Sequence, residues 1–272
     1  AWLGLAATAT MGVALAATRA GWLALPDVAA TLDAHALFGL LGWVLLLVVS
    51  IAYQVVPMFQ LTPPYSRRLA QHLAGVTFAL LVFCALARRL PEAVAMLAET
   101  GLAACTLVFA LATMRLQARR RRRLADVTLD YWRLAMASLI AAVLVWGVAR
   151  AWPTWANHDA YPVLLGVLFL DGFAVSVVNG MLYKIVPFLA WFHLQAQLQA
   201  RAGSIPTMKE MISASAMRGQ FRLHVAAGLL LMGALAWPSL SWPAGVALAG
   251  SALWLAANLA SAVRRFRAFG GH

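Results

Sequence analysis

Long uninterrupted apolar runs, each about as long as a helix needs to cross a bilayer, govern what this chain can fold into. The stretch 35–59 holds no Asp, Glu, Lys or Arg. Only helices and closed β-barrels satisfy their backbone groups inside lipid. Barrel strands would alternate apolar and polar residues, and these runs do not. The chain is 63% hydrophobic and only 11% charged, with a mean hydropathy of +0.81. Soluble domains carry about a quarter charged residues. The expectation is an all-α polytopic membrane bundle forming a single transmembrane domain over 1–272. Its environment is a lipid bilayer, and about eight helices span it, near 1–24, 35–59, 69–88, 91–116, 128–151, 160–193, 220–237 and 243–263. The first run lacks a basic flank, so it reads as a span and not as a signal peptide. Ala1 opens directly into that run, as a processed or trimmed start would, with room for a helix upstream.

A net charge of +12 invites a nucleic-acid partner, but the basic residues sit between apolar runs, where membrane topology accounts for them. They follow every second span: Arg67 and Arg68; Arg115 and Arg119 to Arg123; Arg201, Lys209, Arg218 and Arg222; then Arg264, Arg265 and Arg267. Arg133 and Lys184 fall near the same side, leaving Arg19, Arg88, Arg89 and Arg150 on the other. The positive-inside rule then puts both termini in the cytoplasm of a bacterial inner membrane. Trp22, Trp152, Trp155, Trp237 and Trp242 fall near the outer ends, as an aromatic belt would. The run Arg119–Arg123 reads as a solvated anchor with some affinity for anionic lipid. The stretch Thr207–Met217 is amphipathic enough to lie on the inner membrane surface. Cys84 and Cys105 fall inside apolar runs without CxxC spacing and read as small buried residues.

The chain repeats itself. Gly42-Trp43, Tyr53 and Val56-Pro57 in the second run return as Gly172-Phe173, Tyr183 and Val186-Pro187 in the sixth, always 130 residues on. That register predicts a parallel internal duplication of four helices, with halves near 1–127 and 128–272. At about 100° per residue, His35, Gly39, Gly42, Tyr53 and Pro57 share one face. Leu165, Gly172, Ser176, Asn179, Tyr183 and Pro187 share another. Small residues in such a stripe admit a neighbouring helix or a flat cofactor.

Six histidines are present, and imidazole binds heme iron, copper and zinc. His35 lies on the glycine stripe, and His158 is its candidate partner at the outer ends. His72, His193 and His224 fall at similar depth near the inner ends of three spans, as a metal or heme site would require. Glu99 and Asp171 are acids inside spans, costly there and hence candidates for proton relay or cation binding. They could also pair with Arg133, Arg150 or Lys184. On a uniform wheel Asp171 lies about 120° from the stripe. No nucleophile elbow, phosphate loop, dinucleotide fingerprint or zinc-protease motif occurs.

The stretch Ala34-His35-Ala36-Leu37-Phe38-Gly39-Leu40-Leu41-Gly42-Trp43, continuing to Tyr53 and Val56-Pro57, resembles one helix of the C-family heme-copper oxidase catalytic subunit. That helix opens His-x-His and carries Gly, Gly-Trp, Tyr and Pro at similar spacing. The stretch is also similar to the His-x-His helix of NO-response heme- and copper-containing membrane proteins. The resemblance implies heme b or copper as cofactor and His35 as ligand of a high-spin heme. Gly39 and Gly42 would then form a groove for the ring, and Tyr53 and Tyr183 would line the pocket. Leu37 stands where the second histidine would be, and neither a copper-site cluster nor a twelve-helix length is present. A complete oxidase is therefore not expected. The resemblance implies a divergent heme- or metal-binding protein or an accessory subunit of a respiratory complex. The repeat, the intramembrane acids and the proline-interrupted helices point instead to a small-solute or metal transporter.

Overall fold

The computed structural model describes residues 1–87, 90–121, 124–197 and 207–270. All regular structure among them is helical, with no strand. The chain forms two compact units, Ala1–Arg123 and Leu124–His272.

In the first unit, α1 (Trp2–Arg19) is followed by α2 (Val28–Gln60), α3 (Arg67–Ala87) and α4 (Glu92–Ala118). α2 begins earlier than the apolar run because Asp27 caps it, its carboxylate accepting from the Ala30 amide at 2.8 Å. It ends at Leu61, which takes a left-handed conformation at φ 53°. Between these ends, Phe38–Leu45 winds as a π-helix. Pro57 lies inside the helix and supplies no amide for the Tyr53 carbonyl one turn back. α1 packs on the π segment, and α3 packs on α4. Phe38, Leu81, Cys84, Ala98 and Leu102 form the core.

The second unit holds α5 (Val127–Ala151), α6 (Ala160–Gln197), α7 (Ala214–Ala234) and α8 (Ser241–Ala268). A single turn, Pro153–Ala156, separates the first two. α6 contains its own π segment, Val167–Val175, and its own internal proline, Pro187. α5 packs along α6, and α7 packs on α8. The core gathers Val127, Tyr131, Tyr183, Leu194, Met211, Ile212 and Ala262. Met211 and Ile212 are 0% and 2% exposed. The stretch expected on the membrane surface thus turns its apolar side into the unit, where Tyr183 and Leu194 offer a drier seat than lipid headgroups.

Six helices among the described residues are long and apolar enough to cross a membrane: α2 to α6 and the stretch Pro238–Ala268 that contains α8. Large apolar side chains such as Leu97 (74% exposed) and Leu253 (72%) point away from their units, as lipid-facing residues would. α1 and α7, expected as spans, are helical but fall outside this set. Arg218, Gln220, Arg222 and His224 dilute α7, and two of those four are buried. Arg88, Arg89, Arg122, Arg123, Arg201 and His272 lie outside the described residues.

Candidate functional site

A polar side chain inside an apolar helix must find a partner within the protein. In the first unit these needs are met locally except at Gln117 Oε1. The Tyr65 and Thr113 hydroxyls meet at 2.8 Å, and Gln117 Nε2 donates to Gln60 Oε1 at 3.1 Å. Tyr65 lies between α2 and α3, and burial pushes its hydroxyl above the ordinary tyrosine range. The Thr113 hydrogen bond opposes that shift only in part.

The second unit is more polar inside. Tyr131 from α5 and Tyr183 from α6 both donate to Gln220 Oε1 on α7, the latter at 3.0 Å. Gln220 Nε2 donates to the Ser251 hydroxyl on α8 at 3.0 Å, and Asn258 Nδ2 donates to the Tyr183 hydroxyl at 2.8 Å. One glutamine thus ties four helices together with both ends of its amide engaged. Such a network rigidifies a bundle.

Next to it the accounting fails. Among the described residues, the buried side-chain atoms without a hydrogen-bond partner are Gln117 Oε1, Trp132 Nε1, Asp171 Oδ1 and His224 Nδ1. The last two face each other at 3.8 Å, too far for a hydrogen bond. His224 is 1% exposed and Asp171 9%. On its other side the imidazole is held, with Nε2 2.8 Å from Ser176 Oγ. Ser176 in turn donates to the Asp171 backbone carbonyl at 3.2 Å. The Tyr131 ring lies against the imidazole at 5.4 Å between centroids.

Local sequence builds this corner. Asp171 and Ser176 are five residues apart, which a regular helix turns to different faces. The π segment takes in roughly one more residue per turn and lets the serine reach back. The uniform wheel that put Asp171 far from the stripe therefore fails here: Ser176, a stripe residue, touches the imidazole that Asp171 faces. A Cβ on Gly228 would stand 2.9 Å from Asp171 Oδ2, and one on Gly172 would stand 2.5 Å from Ser138 Oγ. Both glycines let their neighbours close around the carboxylate. The pair opens onto a cavity of about 60 Å³, walled by Leu134, Ser138, Leu168 and Met232. It has room for a water molecule or a small ion and not for a drug-sized ligand.

The other expected residues lie elsewhere. His35 Nδ1 is 3.0 Å from the Thr8 carbonyl on α1. Gly39 faces Thr8 and Gly42 faces Gly4, so α1 occupies the glycine face. Tyr53 donates weakly to the Leu69 carbonyl at 3.4 Å and meets Tyr65 edge-on. Tyr183 belongs to the glutamine network. His158 is exposed and stacked on Trp155. Of the three histidines expected to gather, His72 is exposed on α3 in the first unit. His193 bonds the Leu189 carbonyl at 2.8 Å and lines an apolar groove of about 300 Å³. His224 lines the small cavity. Among the described residues no three His, Cys, Asp or Glu side chains come together as a metal site. Lys184 pairs with Asp126 at 2.7 Å and not with Asp171. Glu99 is partly buried on α4.

No family model, curated protein or solved structure matches the chain significantly.

Proposed function

We propose that this chain is a transporter of a small cationic solute in a bacterial inner membrane, built on two copies of a four-helix unit. The copy that works is the second. One observation carries the reading: a carboxylate and an imidazole, each with an unpartnered buried atom, face each other across a small cavity among apolar helices. Ionisable groups at such depth are expensive and mark ion and substrate pathways. A carboxylate in an apolar cavity favours a cation, and a space of about 60 Å³ suits a small one such as ammonium or methylammonium.

The duplication draws on the shared interval of 130 residues and on the paired π segments. It also draws on the internal prolines Pro57 and Pro187, and on the common order of helix contacts in each unit. By that interval, Asp171 and Ser176 correspond to Leu41 and Leu46. The first copy therefore lacks both groups and keeps only the scaffold. With eight spans and the basic residues inside, both termini are cytoplasmic.

The test is uptake of labelled methylammonium and of sodium into proteoliposomes holding the full chain, against empty vesicles. Uptake above the empty vesicles that falls in Asp171→Asn supports the reading. Equal uptake with and without the protein, for both probes, overturns it.

A heme or copper reading draws on His35 alone. Its Nδ1 sits against a backbone carbonyl, the arrangement that orients a metal-ligating histidine and leaves Nε2 for the metal. The packed glycine face offers such a ring no groove, so the residues present do not fit heme there. A reduced-minus-oxidised absorption spectrum with metal analysis tests it. A heme band lost in His35→Ala would establish this reading, and neither heme nor stoichiometric copper would remove it.

A further inference from the structure

We infer that the resting occupant of this site is a proton carried on Asp171 Oδ1, facing an unprotonated Nδ1 of His224. The inference uses the same cavity as the transport reading but does not require transport.

It follows from counting donors and acceptors. A serine hydroxyl has one hydrogen to give. Ser176 gives it to the Asp171 carbonyl, a backbone group inside the π segment. The contact of 2.8 Å between Ser176 Oγ and His224 Nε2 must then be donated by the imidazole. A neutral imidazole with its hydrogen on Nε2 has a bare acceptor at Nδ1. That atom is the one facing Asp171 Oδ1. An ionised carboxylate there would set two acceptors against each other with no hydrogen between them, and it would bury a charge among apolar walls. One proton between them removes the clash: on Nδ1 it would leave two opposite charges buried among apolar walls, and on Oδ1 it leaves both groups uncharged. The carboxyl becomes the donor, the imidazole nitrogen the acceptor, and the pair is neutral. At 3.8 Å the bond closes by a small side-chain rotation or through one water in the cavity.

Among the described residues no hydrogen bond reaches Asp171 Oδ1 or His224 Nδ1 from a neighbouring group, the cavity-lining Ser138 hydroxyl and the Trp132 indole included. From α5, Tyr131 lies against the imidazole but donates to Gln220. From α6, Tyr183 also donates to Gln220, and Lys184 is held by Asp126. From α8, Ser251 and Asn258 face Gln220 and Tyr183. On α7, Gly228 has no side chain to offer the Oδ2 atom it faces.

The measurement is infrared spectroscopy of the full chain in lipid at neutral pH, in water and in deuterium oxide, with and without aspartate carrying ¹³C at the side-chain carboxyl. The expected result is a carbonyl band of a protonated carboxylic acid that shifts in deuterium oxide, shifts again with the isotope and is absent from Asp171→Asn. The label assigns the band to aspartate without any substitution, so a misfolded variant does not decide the matter. If the labelled aspartates show only carboxylate bands, the inference is overturned, whatever the uptake assay gives. An acid band with no uptake of either probe would retain the proton site and remove the transport reading.

Discussion

His224 Nδ1 stands 3.8 Å from Asp171 Oδ1, and among the described residues neither atom has a hydrogen-bond partner. A few ångströms away every polar group of Tyr131, Tyr183 and Gln220 is spoken for. The contrast separates two uses of polarity inside one bundle. A saturated network holds helices together, and an unsaturated pair leaves a place for something to bind.

The closeness of α7 to the carboxylate gives a steric test. Gly228→Ala puts a methyl group 2.9 Å from Asp171 Oδ2, tighter than ordinary contact, and displaces the carboxyl. Uptake is expected to fall about tenfold, a change of roughly 1.4 kcal/mol. Gly147→Ala, where a Cβ meets nothing within 4 Å, should leave uptake unchanged. Equal behaviour of the two variants would mean that Asp171 need not sit where it does.

The glutamine network predicts stability and not transport. Tyr183→Phe removes one donor to Gln220 and one acceptor for Asn258, and should cost about 1–2 kcal/mol. Gln220→Leu strands Tyr131, Tyr183 and Ser251 together and should cost more. Thermal unfolding in detergent measures both. The uptake of folded Tyr183→Phe should match the parent.

In the first unit the glycine stripe serves packing. Gly42 lies against Gly4 of α1, and a Cβ on Gly42 would also press on Leu81 at 2.8 Å. Gly42→Leu is expected to separate α1 from α2, with a loss of about 1–3 kcal/mol and early proteolysis of α1. A stable variant with α1 protected would show that the stripe was not closed by this helix.

Tyr65 predicts an alkaline limit. Burial raises its hydroxyl above the ordinary tyrosine range in the folded protein, so the folded state holds that proton more tightly than the unfolded one. The stability it contributes is complete below the unfolded value and is lost as pH rises from there through the higher folded value. Tyr65→Phe should flatten that decline in a pH series of melting temperatures. An unchanged slope would assign the decline to other groups.

Helix content and the positions of the long apolar helices were legible because a membrane-spanning helix needs a long apolar run. Asp171 stood out as an acid within an apolar run. Its partner did not. His224 was grouped with His72 and His193 by depth, since sequence gives depth along a helix and not facing. The link from Asp171 to Ser176 escapes the wheel, because a π segment shifts every later side chain around the axis and leaves no mark in hydropathy. The run 220–237 reads as a span, yet α7 falls outside the set apolar enough to cross, because Gln220 and His224, which find partners inside the unit, lower its hydropathy.

Uptake of labelled methylammonium into proteoliposomes, compared between the parent chain and Asp171→Asn at matched protein content, tests the central claim most directly. The account predicts uptake above empty vesicles for the parent and a drop to the empty-vesicle level for the variant, with helix content by circular dichroism unchanged. Equal, protein-dependent uptake by both would contradict it, because transport would then proceed without the carboxyl group on which the proposed site depends.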